Sequence, residues 1–157
     1  MGAKKWKGKE KYSNLFSPIR MRNVRAKNRI IAAPTSPSMI TTEGHFTPEM
    51  IAYLEEKALG GAGIVTYGEA IVHSATGKSH NKQLQLDSFG VKQGMAQAAR
   101  AIHNAGAYAN IQLSHGGKYG GLASVGGEHL DKCNTAYGPS HEVTPCLLYT
   151  SDAADDR

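Results

Sequence analysis

Three short runs of strand-forming residues alternate with two segments that carry a helical apolar face, and that order limits what the chain can become. Ile30-Ile31-Ala32-Ala33 is apolar, β-branched at its start and ended by Pro34. It lacks polar alternation, as expected of a strand buried on both faces. Thr47-Pro48-Glu49 then places a hydroxyl at an N-cap, a proline at the first helical position and an acid in the first turn. Met50, Ile51, Leu54, Ala58 and Leu59 share one helical face, and Gly60-Gly61 ends the helix. Ile64-Val65-Thr66-Tyr67 is the second strand, broken by Gly68. A loop with His73, Gly77 and His80 leads to a second helix through Val91, Met95, Ala98 and Ile102, closed by Gly106. Tyr108 to Leu113 is the third strand, and Ser114-His115-Gly116-Gly117 is the loop at its carboxyl end. Ahead of all three, Ile19, Met21, Val24 and Ala26 alternate with polar residues about Arg22-Asn23. That pattern predicts a short β-hairpin with one face buried, lying across the strands' amino-terminal mouth.

Strands alternating with helices in this way form parallel β-α-β units. A dinucleotide-binding open sheet would carry G-x-G-x-x-G directly after its first strand. Here that strand runs into Pro34-Thr35-Ser36-Pro37, and Gly61-Ala62-Gly63 precedes a strand instead of opening a helix. The expected fold is therefore α/β: the N-terminal portion of a (β/α)₈ TIM barrel with a leading β-hairpin. Residues 1–12 read as a basic disordered tail and 13–145 as an incomplete barrel. Residues 146–157 show neither helical nor strand period, resemble translated sequencing-adapter DNA, and read as a non-native tail.

The net charge of +5 is unevenly spread: residues 1–29 hold ten Lys/Arg against one acid, and the other 128 residues are net acidic. The basic head has no patterned base-reading motif, so a solvated tail is expected and nucleic acid is not a partner. Neither an apolar run of membrane-spanning length nor a secretory h-region is present, so no membrane partner and a cytoplasmic location are expected. Cys133 and Cys146 form no C-x-x-C pair and read as reduced, unliganded thiols. His73, His80, His103, His129 and His141 share no metal-ligand spacing and read as scattered surface residues; no metal is expected. His115 reads as a structural or solvated loop histidine.

In a barrel, ligands bind at the carboxyl ends of the strands. Those ends offer Ala33, Pro34, Thr35 and Ser36, then Gly68, then Gln112. None carries a nucleophile–base pair or an acid cluster, and Ser36 lies in no G-x-S-x-G, so no catalytic residue is assigned. Backbone groups and Ser36 suit a planar heterocycle, Gly68 permits close approach, and the Gln112 amide offers donors and an acceptor together. Such an inventory suits an aromatic cofactor that brings its own chemistry.

These same residues carry a family resemblance. Leu15-Phe16-Ser17-Pro18-Ile19, Lys27-Asn28-Arg29-Ile30 and Ala33-Pro34 resemble the opening of Old Yellow Enzyme-type NADH:flavin oxidoreductases. Gly63 to Thr66 with Gly68, Gln112 to Lys118, and the turn Tyr137-Gly138-Pro139-Ser140 resemble later signatures in the same order. The resemblance implies a barrel holding FMN non-covalently, with cofactor contacts at Ala33, Pro34, Thr35, Ser36, Gly68 and Gln112. It implies hydride transfer from NAD(P)H through FMN to an activated alkene acceptor, a small-molecule substrate. The family's substrate-polarising and proton-donating residues would lie downstream, making this chain a truncated, inactive fragment. A 4Fe-4S group enters only for a longer full-length protein, for which homo-oligomerisation is also open. Lys118 in place of Arg, and Tyr67 in place of Glu, depart from the family pattern. Beside this reading stand a non-flavin barrel enzyme of the aldolase or isomerase type and a non-catalytic fragment, since closing a barrel takes roughly 250 residues.

Overall fold

The computed structural model describes residues 10–117. Expectations for residues 1–9, the cysteines, the Tyr137–Ser140 turn and the 146–157 segment lie outside them. The described elements are α1 (Ser13–Phe16), β1 (Ile19–Met21), β2 (Val24–Ala26), β3 (Ile31–Ala32), α2 (Pro48–Leu59), β4 (Ile64–Ile71), α3 (Ser74–Gly77), β5 (Leu84–Gln85), α4 (Val91–Asn104) and β6 (Tyr108–Ser114).

β4 is the spine. It runs parallel to β3 through Ile31↔Ile64 and Ala32↔Val65, to β5 through Ala70↔Leu84 and Ile71↔Gln85, and to β6 from Ile64↔Tyr108 to Ile71↔Ser114. A strand has two edges; since β6 follows β4 along its length, β3 and β5 divide the remaining edge between its two ends. The parallel order β3, β4, β6 with helices between is the opening of a β/α barrel.

Helix α2 begins where its sequence says it should: Thr47 Oγ1 accepts the Met50 amide at 3.2 Å, and Pro48 sits where no amide is needed. Met50, Leu54 and Ala58 of α2 and Val91, Ala98 and Ile102 of α4 are buried against Val65, Tyr67 and Ala70 of β4. Burying each large side chain contributes about 2 kcal/mol, an upper figure because the unfolded chain already hides some area.

Four expectations are corrected. Leu59, read as part of the apolar face of α2, is 59% exposed at the helix end. Ile31, read as buried on both faces, is 57% exposed, because β3 pairs only two residues and has no other partner than β4 among the described residues. The hairpin forms with the expected register, Ile19↔Ala26 and Met21↔Val24, but only Ala26 is buried and Met21 and Val24 face solvent. It does lie at the amino-terminal end of the sheet, where Arg25 and Ala26 line a cleft of about 560 Å³ with Ala107 and Tyr108. Finally, β4 does not stop at Gly68 but continues to Ile71. Between Tyr67↔Ile111 and Ala70↔Leu113, Gly68 and Glu69 together oppose the single residue Gln112. A glycine inside a buried strand marks this kind of bulge as readily as an end. The Gly68–Glu69 peptide is cis.

Asn28 locks the start of β3 to the turn before β4. Its Nδ2 donates to the Gly61 carbonyl at 2.7 Å, its Oδ1 accepts the Ile30 amide at 3.0 Å, and the Gly63 amide donates to Ile30 O at 2.9 Å. A Cβ on Gly63 would stand 2.6 Å from Asn28 Oδ1, so the clamp needs that glycine. Asn28→Ala leaves a buried donor and acceptor unpaired and is expected to cost about 2 kcal/mol in urea unfolding. Asn28→Asp keeps an acceptor for Ile30 but turns a carboxylate oxygen on the Gly61 carbonyl, so it should be no better than alanine. A wild-type midpoint for Asn28→Asp would contradict the donor role.

Candidate functional site

The site is built where the strands end. Along β4, Val65 and Tyr67 turn to the helix-covered core, so the alternating positions Thr66 and Gly68 face the barrel interior. Asn110 of β6, opposite Thr66, donates to its hydroxyl at 3.3 Å on that same face. Two residues further on, Gly68 meets Gln112. A Cβ at position 68 would stand 2.5 Å from Gln112 Oε1, 3.1 Å from Gln112 Cβ and 2.5 Å from Pro34 Cβ. The structure thus brings Pro34, Gly68 and Gln112 into one cradle, in which the missing side chain at 68 lets Pro34 and Gln112 close over the strand. Gly68 is buried, while Pro34 and Gln112 are exposed around it.

The other three expected residues stand nearby with different partners. Ala33 is exposed after β3, and its carbonyl accepts the Thr35 hydroxyl at 3.2 Å. The Thr35 oxygen also accepts from Lys57 Nζ at 3.0 Å, and Lys57 itself lies 4.4 Å over the Tyr53 ring. The Thr35 side chain is therefore engaged with α2, leaving its backbone as the group it can offer a ligand. Ser36 Oγ is enclosed and has no hydrogen-bond partner, and the Tyr67 hydroxyl is in the same condition. Burial pushes the Tyr67 phenol up to about 12, although the Leu84 backbone and the Ser36 hydroxyl lie close enough to pull the other way. The Tyr67 ring is held edge-on by Phe46 at 4.8 Å.

A polar clasp that the sequence did not reveal closes the rim beyond the cradle. Glu69 Oε1 accepts from the Gln83 amide and lies 3.3 Å from His80 Nε2, while Oε2 accepts the Ser114 hydroxyl at 3.1 Å. Because His80 Nδ1 accepts the Lys82 amide, its proton sits on Nε2 and both ring nitrogens are in use. A second chain joins two histidines. Gly117 N donates to His115 Nδ1, which puts the His115 proton on Nε2, facing Thr76 Oγ1 at 3.0 Å. The Thr76 hydroxyl must then donate to His73 Nδ1 at 2.9 Å. Gly77 makes room for this contact, since a Cβ there would stand 2.6 Å from His115 Cδ2. His73 and His80 are thus members of rim networks and not scattered surface residues, while His115 is a structural loop histidine bonded at both ring nitrogens; His129 and His141 lie outside the described residues. Among the described residues no group of three or more His, Cys, Asp or Glu side chains could hold a metal ion.

Parallel strands with helices over one face, and Pro34, Gly68 and Gln112 meeting at the carboxyl ends, define the opening of a β/α barrel. Residues 14–143 match the model of the NADH:flavin oxidoreductase / NADH oxidase family, and the chain belongs to that family. It is similar to the NADH oxidase of Thermoanaerobacter brockii, with 31% identity over 107 residues, 68% of this chain and 16% of the relative. Among solved structures it is similar to 2-naphthoyl-CoA reductase in complex with 2-naphthoyl-CoA: 35% identity, TM-score 0.66, over 69% of this chain and 16% of that one. The Old Yellow Enzyme of Trypanosoma cruzi shares the fold at 24% identity and TM-score 0.64, over 70% of this chain and 29% of that one. The chain therefore spans a minor part of each relative's length.

The buried phenol gives a pH test. A folded pKa of about 12 against an ordinary 10.0 means that the native state holds the Tyr67 proton more tightly. The resulting stabilisation is full below about pH 10 and is lost as pH rises toward 12. Tyr67→Phe keeps the ring and removes the unpartnered hydroxyl. Denaturant titrations should show a shallower loss of stability for Tyr67→Phe than for wild type between pH 10 and 12. Parallel curves would mean that the phenol is not buried against its charge.

Proposed function

We propose that this chain is the amino-terminal portion of an FMN-dependent oxidoreductase, with residues 13–145 forming the first part of its barrel. The observation that carries the reading is the meeting of Pro34, Gly68 and Gln112 at the carboxyl ends of the strands. Glycine at 68 lets Pro34 and Gln112 lie close against the strand, where they can flank a planar ring at the barrel mouth. The cradle fits the group chemically as well. Gln112 has an exposed amide with donors and an acceptor for a pyrimidine edge. Ser36 Oγ is a polar atom without a partner. Ala33, Pro34 and Thr35 would contribute backbone groups alongside. When bound, FMN supplies two-electron chemistry, taking a hydride from NAD(P)H and delivering it to an electron-poor acceptor. We assign that acceptor to the activated alkenes, of enoate, enone or dienoyl type.

The described residues bind and orient, and among them none is placed to donate a proton to a substrate. His80 has both ring nitrogens engaged, and His115 is tied to Thr76 and Gly117. We assign acid–base work to residues outside the described portion and read the chain by itself as an inactive fragment. Among the described residues no helix is long and apolar enough to cross a membrane.

The test is a protein extended to family length without residues 146–157. It should carry a yellow cofactor that NAD(P)H bleaches anaerobically and an electron-poor alkene restores, whereas residues 1–157 alone should retain none. Gly68→Ala should weaken FMN binding by about tenfold, because the Gln112 amide can swing away but Pro34 cannot. An extended protein that binds no flavin would refute the reading.

A further inference from the structure

The cradle is opposite a break in its own sheet. At the bulge, Gly68 and Glu69 face Gln112 alone, so the backbone ladder is locally disrupted where the orientation of Gln112 matters most. We propose that Glu69 is the positioning residue for Gln112, its carboxylate bridging the bulge by side-chain bonds. The proposal rests on the flavin reading for its purpose but not for its geometry.

Three observations support it. The Ser114 hydroxyl, two residues beyond Gln112 on β6, donates to Glu69 Oε2 at 3.1 Å. This fastens the end of β6 to the residue directly after Gly68. On its other oxygen, Glu69 is held by Gln83, which is wholly buried. Gln83 is itself immobilised: its Oε1 accepts the Ser79 and His80 amides at 2.8 and 3.1 Å, and its Nε2 donates to Ser79 Oγ at 2.8 Å as well as to Glu69. His80 Nε2 adds a further donor at 3.3 Å. The carboxylate is thus fixed on the Gln83 side and pulls on β6 at the other. A satisfied, partly buried network of this kind is stiff. The ladder resumes at Ala70↔Leu113 and Ile71↔Ser114, so the tether acts just where pairing restarts. Gln112 is consequently held between Ile111, paired before the bulge, and Ser114, bonded after it.

The experiment uses the family-length protein, first without flavin and then loaded with FMN. In the flavin-free protein, Glu69→Ala and Ser114→Ala should speed amide hydrogen exchange at Gln112 to Ser114 by about tenfold, the factor expected from a lost charge-assisted bond. Exchange at Ile64 to Tyr67 should stay unchanged. Glu69→Gln should restore slow exchange, since its carbonyl oxygen still accepts from Gln83 while its amide donates to a rotated Ser114 hydroxyl. In the loaded protein, Glu69→Ala should move the flavin's reduction potential and visible spectrum as Gln112→Ala does, and the double variant should add nothing further. Unchanged exchange at Gln112 to Ser114 overturns the proposal, whatever the protein binds. So does a Glu69→Gln potential shift as large as that of Glu69→Ala, which would show charge and not position at work. Faster exchange in a protein that takes no flavin would uphold the clasp and refute the functional reading instead.

Discussion

Everything described in this molecule hangs on the parallel backbone ladder of β4. Its eight residues, Ile64–Ile71, are hydrogen-bonded to β3 and β5 at opposite ends and to β6 along their length. Val65, Tyr67 and Ala70 on one side make the floor of the helix-covered core. A parallel strand with so many partners has no freedom to slip, because a one-residue shift would turn that floor to the interior and Thr66 to the helices. The Asn28 clamp sets where the strand begins. The bulge at Gly68 and Glu69 is the one place where the pattern is interrupted.

That interruption is also what makes a site. A side chain at position 68 would collide with Pro34 and Gln112 and push them off the strand. A glycine makes room for both but weakens the strand, since it offers nothing to pack and more backbone freedom to lose. The neighbouring Glu69 compensates by bonding to both sides, to Gln83 and to Ser114. Opening and reinforcement thus sit on adjacent residues, and the rest of β4 stays as buried as any core strand.

The long periodic features were legible in the sequence. Thr47-Pro48-Glu49 announced α2, the spacing of Val91, Met95, Ala98 and Ile102 announced α4, the β-branched run Ile64-Val65-Thr66 marked β4, and β6 was placed by following Gly106. β5, with two residues, is too short to show any period. Gly68 carried an ambiguous signal, because glycine marks a strand's end and a strand's bulge alike; only the resumption at Ala70 and Ile71 separates them. The clasp was illegible for a different reason. Glu69 meets Gln83 across 14 residues and Ser114 across 45, and nothing in the local sequence pairs them. Thr76 likewise joins His73 to His115 across 39 residues, so three histidines that share no spacing are drawn into rim networks by the fold alone. Ser36 shows the converse: its position after the first strand was plain, but its enclosure beside Tyr67 depends on the fold bringing β4 against the segment that follows β3.

The division of labour between this portion and what would complete it follows from strand count. The three barrel strands among the described residues supply one arc of a rim, where Pro34 and Gln112 both stand against Gly68. The outer strand of that arc, β6, leaves Leu113 63% and Tyr108 40% exposed. On the proposed flavin reading, further β-α units would bury side chains at these positions, for about the same 2 kcal/mol each as the core residues of β4. Closure and cofactor binding would then be coupled, since strands that cover Leu113 would also enclose the cradle and exclude water from it. The described portion already holds the Gln112 end of the site rigid through Glu69 before any of that closure occurs. A preformed edge of this sort spares the ligand the cost of ordering Gln112 at the moment of binding.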